Sequence, residues 1–264
     1  MHKKRALAFL FVISFLILSI TLVSAFSFSD FFGKITGRAI TDSDIIAHYK
    51  FDGNTNNEKG GSATSFGNPS FTEGKDGQAL SVDGNDYLEQ NSVASLINPR
   101  QGTFSAWIKM DPSIVQDTNI HAVLGAGLAG NGTNYIVLEK RNTRTMSMQY
   151  RTSGNPFSAS TGQTFYQTHT WDNWNHIVGT WNEAQLNFYV NGVKYYYSNL
   201  PSYASFVPFN TFRIGVYPWL DNWYFKGQID EIKVFSRAIT QSEVTELYTS
   251  YSSSTGTNPN PGAG

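Results

Sequence analysis

The chain has 264 residues, enough for one large β-sandwich domain with short flanking segments. Its 19 Lys and Arg residues nearly balance its 20 Asp and Glu residues. This balance argues against a nucleic-acid partner, which requires a basic face. The sequence contains no cysteine, so disulfides, cysteine–zinc sites, iron–sulfur clusters and thiol catalysis are excluded.

The N-terminus has the pattern of an export signal. A basic segment at residues 2–5 precedes an apolar run at residues 6–23, and Val23-Ser24-Ala25 has the small-x-small form of a signal-peptidase site. The apolar run is also long enough to span a bilayer if it is not cleaved. We expect residues 1–25 to be a signal peptide or an N-terminal anchor, and residues 26–44 to be a spacer. In both cases the remaining chain is exported, to the extracellular space or the cell surface.

Predicted strands and turns alternate from residue 45 onward. Asn191-Gly192 separates two of the strands and is a strong hairpin signal, because both residues accept positive φ. The predicted strands are residues 45–51, 78–82, 87–89, 103–110, 121–126, 135–139, 146–151, 176–181, 185–190, 193–197, 211–215 and 227–235. Many short strands at regular spacing predict a sandwich of two sheets.

One helix is predicted near the C-terminus. Thr240 and Glu243 form a capping box, with Ile239 and Val244 spaced as a hydrophobic staple. The helix is expected to pack against the sandwich. Residues 252–264 are rich in Ser, Gly, Asn and Pro, which predicts a flexible linker, and a further domain beyond it is an open alternative.

Five segments of the sequence follow one another in the order of a known family pattern. They are residues 47–53 (AHYKFDG), 76–88 (DGQALSVDGNDYL), 104–108 (FSAWI), 174–178 (WNHIV) with 188–192 (FYVNG), and 225–239 (FKGQIDEIKVFSRAI). In these segments the chain resembles the laminin-G-like, concanavalin A-like family. The resemblance implies an all-β, antiparallel two-sheet jelly-roll sandwich with one short C-terminal helix, over residues 45–251. It leaves function open, since such domains bind sugars, mediate adhesion or accompany enzymes.

Two acidic positions suggest a metal site. Asp52 and Asn54 offer hard oxygen ligands at alternate positions, as Ca²⁺ requires. By strand alternation Asp230 shares a face with Ile232 and Val234, which predicts an inward-pointing carboxylate that needs a partner.

The family resemblance implies that this partner is a structural calcium ion. It would be held by residues matching Asp52 and Asp230, with a carbonyl near Gly77. The alternative is that Asp230 accepts backbone N–H groups or pairs with Arg213 or Arg237.

Aromatic residues cluster in loops. Tyr217, Trp219 and Trp223 lie between two predicted strands, and Trp171 precedes another. Exposed aromatic rings beside Asp and Asn suit sugar recognition, so these four residues are predicted ligand contacts. The alternative is that they belong to the core, as the resemblance implies for Trp174.

Two glycine-containing motifs have simple interpretations. Residues 125–130 match G-x-G-x-x-G, but a predicted strand follows instead of a helix, so a dinucleotide site is rejected. Asn131-Gly132-Thr133 is a glycosylation sequon at a predicted loop tip, which makes Asn131 a candidate modification site.

Catalytic patterns are sparse. The sequence has no E-x-D-x-E run of the kind that carries the catalytic carboxylates of glucanases on this fold. Asp230 and Glu231 are adjacent and are expected to point to opposite faces. It also has no G-x-S-x-G and no H-E-x-x-H motif, and His176 lies in a core segment of the family pattern.

We therefore expect a non-catalytic, exported binding module for carbohydrate or a cell-surface polymer. The alternative is a structural or protein-adhesion domain whose partner is another surface protein. A glycoside hydrolase or lyase is disfavoured. Calcium is the one expected cofactor, and membrane contact is expected only through an uncleaved N-terminal segment.

Overall fold

The computed structural model describes residues 39–152, 155–200 and 207–251. The predicted signal or anchor at residues 1–25, most of the spacer at 26–44 and the linker at 252–264 lie outside the described residues. Within the described ranges, no helix has both the length and the apolar character needed to cross a membrane.

The secondary structure consists mainly of strands. The strands are β1 (Ile45–Tyr49), β2 (Thr64–Phe66), β3 (Ser70–Glu73), β4 (Gln78–Asp83), β5 (Tyr87–Glu89), β6 (Gly102–Met110), β7 (His121–Leu128), β8 (Asn131–Lys140), β9 (Met146–Thr152), β10 (Asn155–Ser160), β11 (Asn175–Trp181), β12 (Gln185–Val190), β13 (Val193–Asn199), β14 (Thr211–Ile214) and β15 (Lys226–Phe235). The helices are α1 (Asn91–Ala94), α2 (Pro112–Val115), α3 (Gln163–Thr168) and α4 (Gln241–Ser250), and a 3₁₀ turn covers Asp42–Asp44.

The strands form two antiparallel sheets. The eight-stranded sheet has the order β13-β12-β11-β6-β15-β4-β3, and β1 also pairs with β15. The seven-stranded sheet has the order β10-β9-β8-β7-β14-β5-β2. The predicted all-β, two-sheet jelly-roll sandwich with a C-terminal helix is confirmed.

The core lies between the inner faces of the two sheets. Phe104 of β6 and Phe212 of β14 come from opposite sheets, are fully buried, and have ring centroids 6.1 Å apart. The sheets approach closely at Gly179 of β11, where an added Cβ would lie 2.5 Å from the sulfur of Met148 in β9. Each sheet therefore has an inner apolar face and an outer face, and the outer faces are available for other roles.

Three strands were not expected from the sequence. β2 and β3 are short, β2 is exposed throughout, and β10 is an edge strand that contains Pro156. Exposed or edge strands do not need alternating apolar residues, and an edge strand tolerates proline. The local pattern therefore carried no strand signal in these segments.

A bulge interrupts β15 and changes which residues face the core. The register shifts between Asp230 and Lys233, and Glu231 has a φ of 46°. Asp230 pairs with Trp107, which is outside the central core, whereas Ile232 is inside it. The prediction that Asp230 points inward is wrong, because the extra residue reverses the alternation. Asp230 lies on the outer face of the eight-stranded sheet.

Helix α4 packs on that same outer face. Its predicted capping box is present: Thr240 N–H donates to Glu243 Oε2 at 2.6 Å, and Glu243 N–H donates to the Thr240 hydroxyl oxygen at 3.4 Å. The predicted staple residues Ile239 and Val244 are buried in one small cluster. Further along the helix, Tyr248 stacks on Trp107 with ring centroids 5.7 Å apart.

The start of β6 requires a glycine. A Cβ on Gly102 would lie 2.3 Å from Cζ2 of Trp181, whose indole N–H donates to the Asn98 carbonyl at 3.1 Å. The tryptophan is fully buried and held by this bond, so it cannot move aside without disturbing the core.

We predict that Gly102→Ala lowers the free energy of unfolding by about 1–3 kcal/mol, because overpacking forces the Trp181 ring out of place. Urea denaturation measures the change. Gly162→Ala is the matched control, since an added Cβ there meets no described atom within 4 Å. Equal unfolding energies for Gly102→Ala and the wild type would contradict the prediction.

Candidate functional site

The aromatic loop, residues 217–224, lies on the outer face of the seven-stranded sheet. Pro218 of the loop lies over β7: an added Cβ would lie 3.2 Å from Pro218 at Gly125 and 3.5 Å from Pro218 at Gly127. The nearest atoms to these added Cβ positions belong to β8, namely the Ile136 carbonyl oxygen at 2.7 Å and Tyr135 Cβ at 3.0 Å. Gly125 and Gly127 are the first two glycines of the G-x-G-x-x-G pattern. Both glycines allow the close approach of β8, and Gly125 also leaves room for Pro218 of the loop.

Trp219 and Trp223 are both half-buried on this surface. Their ring centroids are 6.3 Å apart with planes at 83°, an edge-to-face pair. Trp219 also stacks on Tyr135 of β8 at 6.3 Å and covers Gly132, where an added Cβ would lie 2.8 Å from the indole ring. The structure thus brings the two predicted tryptophans together and leaves part of each ring in solvent.

The backbone of the loop is held in an unusual conformation at Trp223. This residue has a φ of 60°, which is uncommon for a bulky side chain. Its carbonyl accepts a hydrogen bond from Ala122 N–H at 2.9 Å, which ties the loop to β7. Such backbone strain persists only where surrounding contacts hold it.

A polar network lies beneath the aromatic loop. The Tyr217 hydroxyl donates to Glu139 Oε2 at 2.6 Å, and the Tyr135 hydroxyl donates to Gln149 Oε1 at 2.8 Å. Glu139 is fully buried, and burial raises the pKa of its carboxyl although Arg141 opposes this with a hydrogen bond at 3.0 Å. Because both tyrosines hold fixed positions, the platform under the tryptophans is rigid. The side-chain amide nitrogen of Gln149 has no hydrogen-bond partner in the described part of the chain.

Two predicted ligand contacts are corrected by burial. Tyr217 is 2% exposed and belongs to the network under the loop. Trp171 is fully buried, and its indole N–H donates to the Tyr166 carbonyl at 3.1 Å. Trp174, which was expected in the core, is instead half-buried. The turn before β11 places Trp171 and not Trp174 in the core, so neither Tyr217 nor Trp171 can contact a surface ligand.

The predicted metal residues Asp52 and Asp230 both bind the segment that connects β3 to β4. Asp230 Oδ2 accepts hydrogen bonds from the N–H groups of Lys75 at 2.7 Å and Asp76 at 3.1 Å. Asp52 Oδ1 accepts from Gln78 N–H at 2.8 Å. Burial raises the pKa of Asp230 to about 7, even though these N–H donors favour its charged form. The two carboxylates thus hold the β3–β4 segment at its two ends.

The other two predicted ligands make local contacts. Asn54 Oδ1 accepts from Asn56 N–H at 2.9 Å, and Asn54 Nδ2 donates to the Asp52 carbonyl at 3.0 Å, which closes a turn. The Gly77 carbonyl accepts from Gly74 N–H at 3.0 Å. Gly77 has a φ of 61°, and an added Cβ would lie 2.0 Å from Asp52 Oδ1, so only glycine permits this approach.

Backbone donors and not arginines satisfy Asp230. Arg213 pairs with Glu89 at 2.7 Å, and Arg237 pairs with Glu243 and with Asp44. Among the described residues, no group of three or more acidic or histidine side chains could hold a metal ion. The β3–β4 segment presents N–H groups to the two carboxylates, whereas calcium requires oxygen ligands. Calcium binding stays a prediction.

Glu231 lies on the same outer face as Asp230, contrary to the expectation of opposite faces. Its carboxylate contacts His48 Nε2 at 2.7 Å and Lys233 Nζ at 3.5 Å, and accepts a hydrogen bond from the Tyr251 hydroxyl. Burial opposes ionisation, but the hydrogen bonds from His48 and Tyr251 outweigh it and lower the pKa of Glu231. Glu231 therefore joins β1 and the end of α4 to the sheet.

His176 is buried on the outer face of the eight-stranded sheet, where it is covered by other side chains. Its Nε2 is 2.8 Å from the Ser105 hydroxyl oxygen, and its ring stacks on Trp107 at 5.1 Å. Burial lowers the pKa of His176 to about 3, and the nearby Lys233 adds to the effect. The ring is therefore neutral at physiological pH and has a structural role.

Asn131, the predicted glycosylation site, is exposed at the turn between β7 and β8. Its Oδ1 accepts hydrogen bonds from Thr133 N–H at 2.9 Å and from the Thr133 hydroxyl at 2.6 Å. The same turn touches the aromatic loop, since Gly130 N–H donates to the Trp219 carbonyl at 3.1 Å. Glycosylation at Asn131 stays a prediction.

Comparison with protein families agrees with this architecture. A laminin-G family model, described as the concanavalin A-like lectin/glucanases superfamily, matches residues 82–245. The chain belongs to this superfamily. No match was found among curated protein sequences.

Several solved structures resemble the chain at low sequence identity. Domain 4 of AbnA, a GH43 extracellular arabinanase from Geobacillus stearothermophilus solved in complex with arabinotriose, has a TM-score of 0.58 and 23% identity, over 79% of this chain and 100% of that one. The receptor binding domain of botulinum neurotoxin C/D mosaic serotype has a TM-score of 0.61 and 14% identity, over 80% of this chain and 52% of that one. The binding domain of Paraclostridial Mosquitocidal Protein 1 has a TM-score of 0.61 and 15% identity, over 79% of this chain and 52% of that one. The chain spans about half the length of the two toxin domains. At these sequence identities the similarity shows that the fold is shared and nothing more.

The pKa of His176 makes stability depend on pH. The unfolded histidine binds a proton below about pH 6.5, whereas the folded one does not until about pH 3, so stability falls as the pH drops below 6.5. We expect this residue to remove about 2 kcal/mol of stability between pH 7 and pH 5. Urea denaturation at both pH values measures the free energy of unfolding. Its decrease from pH 7 to pH 5 should be smaller in His176→Gln than in the wild type by about 2 kcal/mol. Equal losses in the two proteins would contradict the assignment.

Calcium binding at Asp52 and Asp230 is tested by thermal unfolding with added calcium and with a chelator. If the ion binds, calcium raises the unfolding temperature of the wild type, and Asp52→Asn abolishes that increase because a charged ligand is lost. Glu73→Gln, at an exposed carboxylate in β3, is the control and should keep the increase. Identical wild-type curves with calcium and with chelator would exclude the ion.

Proposed function

We propose that the chain is an exported, non-catalytic module that binds carbohydrate or a cell-surface polymer through the aromatic loop. The observation that carries this proposal is the half-buried, edge-to-face pair of Trp219 and Trp223 on the outer face of the seven-stranded sheet. The C–H face of a sugar ring packs on such indole rings. Export rests on the N-terminal sequence pattern.

Polar groups around the two rings suit sugar hydroxyls. Asp221 and Asn222 are exposed between the tryptophans in sequence, and Asp221 Oδ1 also pairs with Arg213 at 2.8 Å. On the other side of Trp219, Arg151 donates to the Gly132 carbonyl at 3.2 Å, directly under the indole. A site in which a few polar groups surround apolar rings is the usual composition of a small-ligand site.

Rigidity supports a binding role. The loop is tied to β7 by the Trp223 carbonyl and rests on Tyr217, whose hydroxyl is fixed by Glu139. Ordering such a surface on binding costs little conformational entropy, so more of the contact energy is available for affinity. The fold neighbours agree with this role, since one was solved with arabinotriose and others are receptor binding domains.

Three buried acidic residues are not available for catalysis, which supports a non-catalytic role. Asp230 and Glu231 are buried on the outer face of the eight-stranded sheet and are held by backbone N–H groups, His48 and Tyr251. Glu139 lies under Tyr217 and is fully buried. Glycoside hydrolysis needs two carboxylates that flank the substrate, and these three are covered by protein.

A second candidate, a structural or protein-adhesion domain, is favoured by the edge strand β13. Its side chains Val193, Tyr196 and Tyr197 are 56%, 57% and 52% exposed, whereas Tyr195 is half-buried against Phe165 at 4.0 Å. Exposed tyrosines on a sheet edge are typical of protein contacts, through ring packing or through an added strand. The partner would then be another surface protein.

We predict that Trp219→Ala and Trp223→Ala each weaken glycan binding about tenfold or more, because truncating a central aromatic contact costs more than 1 kcal/mol. A glycan array identifies the ligand and titration calorimetry measures the affinity. Tyr196→Ala is the matched control and should bind normally. Thermal unfolding of each variant, with Trp223→Phe as a milder change, separates lost binding from lost folding.

Three outcomes would contradict the proposed function. The first is that no glycan binds at millimolar concentration. The second is that the chain binds a surface protein and that Tyr196→Ala removes this binding whereas the two tryptophan variants do not. That result would support the adhesion alternative. The third is sustained turnover of a polysaccharide by the purified chain, which would make the protein an enzyme.

A further inference from the structure

A cleft of about 320 Å³ opens on the outer face of the eight-stranded sheet, on the opposite side of the sandwich from the aromatic loop. Three polar side chains lie side by side along it, because Gln228 of β15 pairs with Ser81 of β4 on one side and with Lys109 of β6 on the other. Asp83, Asp111 and Lys226 also line the cleft. The strand register therefore builds a row of hydrogen-bonding groups across three neighbouring strands.

The side-chain amide of Gln228 is without a partner. Its Oε1 is fully buried, and neither amide atom makes a hydrogen bond with a described residue. An unsatisfied buried polar atom costs free energy, and most such atoms in native structures have a protein or bound partner. The amide nitrogen Nε2 is not among the buried atoms, so it is the atom of Gln228 that a ligand hydroxyl oxygen can reach from the cleft.

Lys109 is the second unmatched group of the cleft. It is half-buried, and its ammonium has no acidic partner among the described residues. The neighbouring Lys226 differs, since its Nζ lies 3.6 Å from Asp111 Oδ1 and donates to the Ser113 hydroxyl at 3.3 Å. Lys226 is therefore paired with Asp111, and Lys109 is the cation of the cleft that remains to attract an anion, although the carboxylate of Asp83 also lines the cleft.

The size of the cleft limits the ligand. A volume of about 320 Å³ is at the lower end for ligand sites, which suits one sugar ring and not an extended chain. A single unpaired ammonium matches one carboxylate, whereas phosphate sites usually combine several donors or cations. Gln228 and Ser81 supply an amide and a hydroxyl for vicinal ring hydroxyls.

We propose that this cleft binds one carboxylate-bearing sugar unit, with its carboxylate on Lys109 and its ring hydroxyls on Gln228 and Ser81. The site is separate from the aromatic loop and does not depend on it. With sites on opposite sheets, one domain can hold two polymer chains, or two segments of one chain, and gain affinity by multivalency.

The test titrates the full chain with a galacturonic acid trisaccharide and, in parallel, with the neutral galactose trisaccharide, by calorimetry and NMR. We expect the acidic probe to bind, with an affinity that falls as salt is raised. Lys109→Met should weaken its binding about tenfold or more, because a charge-assisted hydrogen bond is lost. Gln228→Leu should weaken both probes.

Lys194→Met, at an exposed lysine on β13 of the same sheet, is the matched control and should bind the acidic probe normally. Trp219→Ala, which is expected to impair the aromatic loop, should leave acidic-probe binding intact, so the two proposals fail independently. Ser81→Ala is a mild second variant in case Gln228→Leu unfolds, as judged by thermal unfolding. Absence of binding at millimolar probe, or equal binding of both probes that Lys109→Met does not change, would overturn the proposal.

Discussion

The structure depends on a single extra residue in β15. This strand is paired on both sides, with β6 along one edge and with β4 and then β1 along the other. The bulge at Glu231 falls where the partner changes from β4 to β1 and sends the two adjacent acidic side chains outward together. A bulge bends a strand and re-aims its side chains, and here it determines where the chain ends can attach.

Each outward carboxylate fastens a different part of the chain. Asp230 holds the β3–β4 segment through its backbone N–H groups, and Glu231 holds His48 of β1 and Tyr251 at the end of α4. These are contacts between residues far apart in sequence, and they close the outer face of the eight-stranded sheet. A protein without disulfides relies on such ties together with its large core.

The outer face of the seven-stranded sheet is covered in a different way. Glycines at positions 125 and 132 leave room for Pro218 and Trp219 of the aromatic loop, and Tyr217 anchors the loop through Glu139. The apolar part of the loop rests on the sheet, and parts of Trp219 and Trp223 meet solvent beside the exposed Asp221 and Asn222. Recognition thus takes place on side chains whose positions are set by a buried polar network.

The sequence by itself determined the strand pattern, the two-sheet class, the Asn191-Gly192 turn and the capped C-terminal helix, because each depends on residues close together in the chain. Asn191 and Gly192 indeed have φ values of 49° and 78°. It also brought Trp219, Trp223, Asp52 and Asp230 to attention by residue type alone.

Only the tertiary structure decided that Trp171 and Tyr217 are buried, that Asp230 faces outward, and that Asn54 closes a local turn. It also revealed the strands β2, β3 and β10 and the row of Ser81, Gln228 and Lys109. Burial, bulges and strand neighbours arise from pairing between distant segments, which a local pattern does not encode.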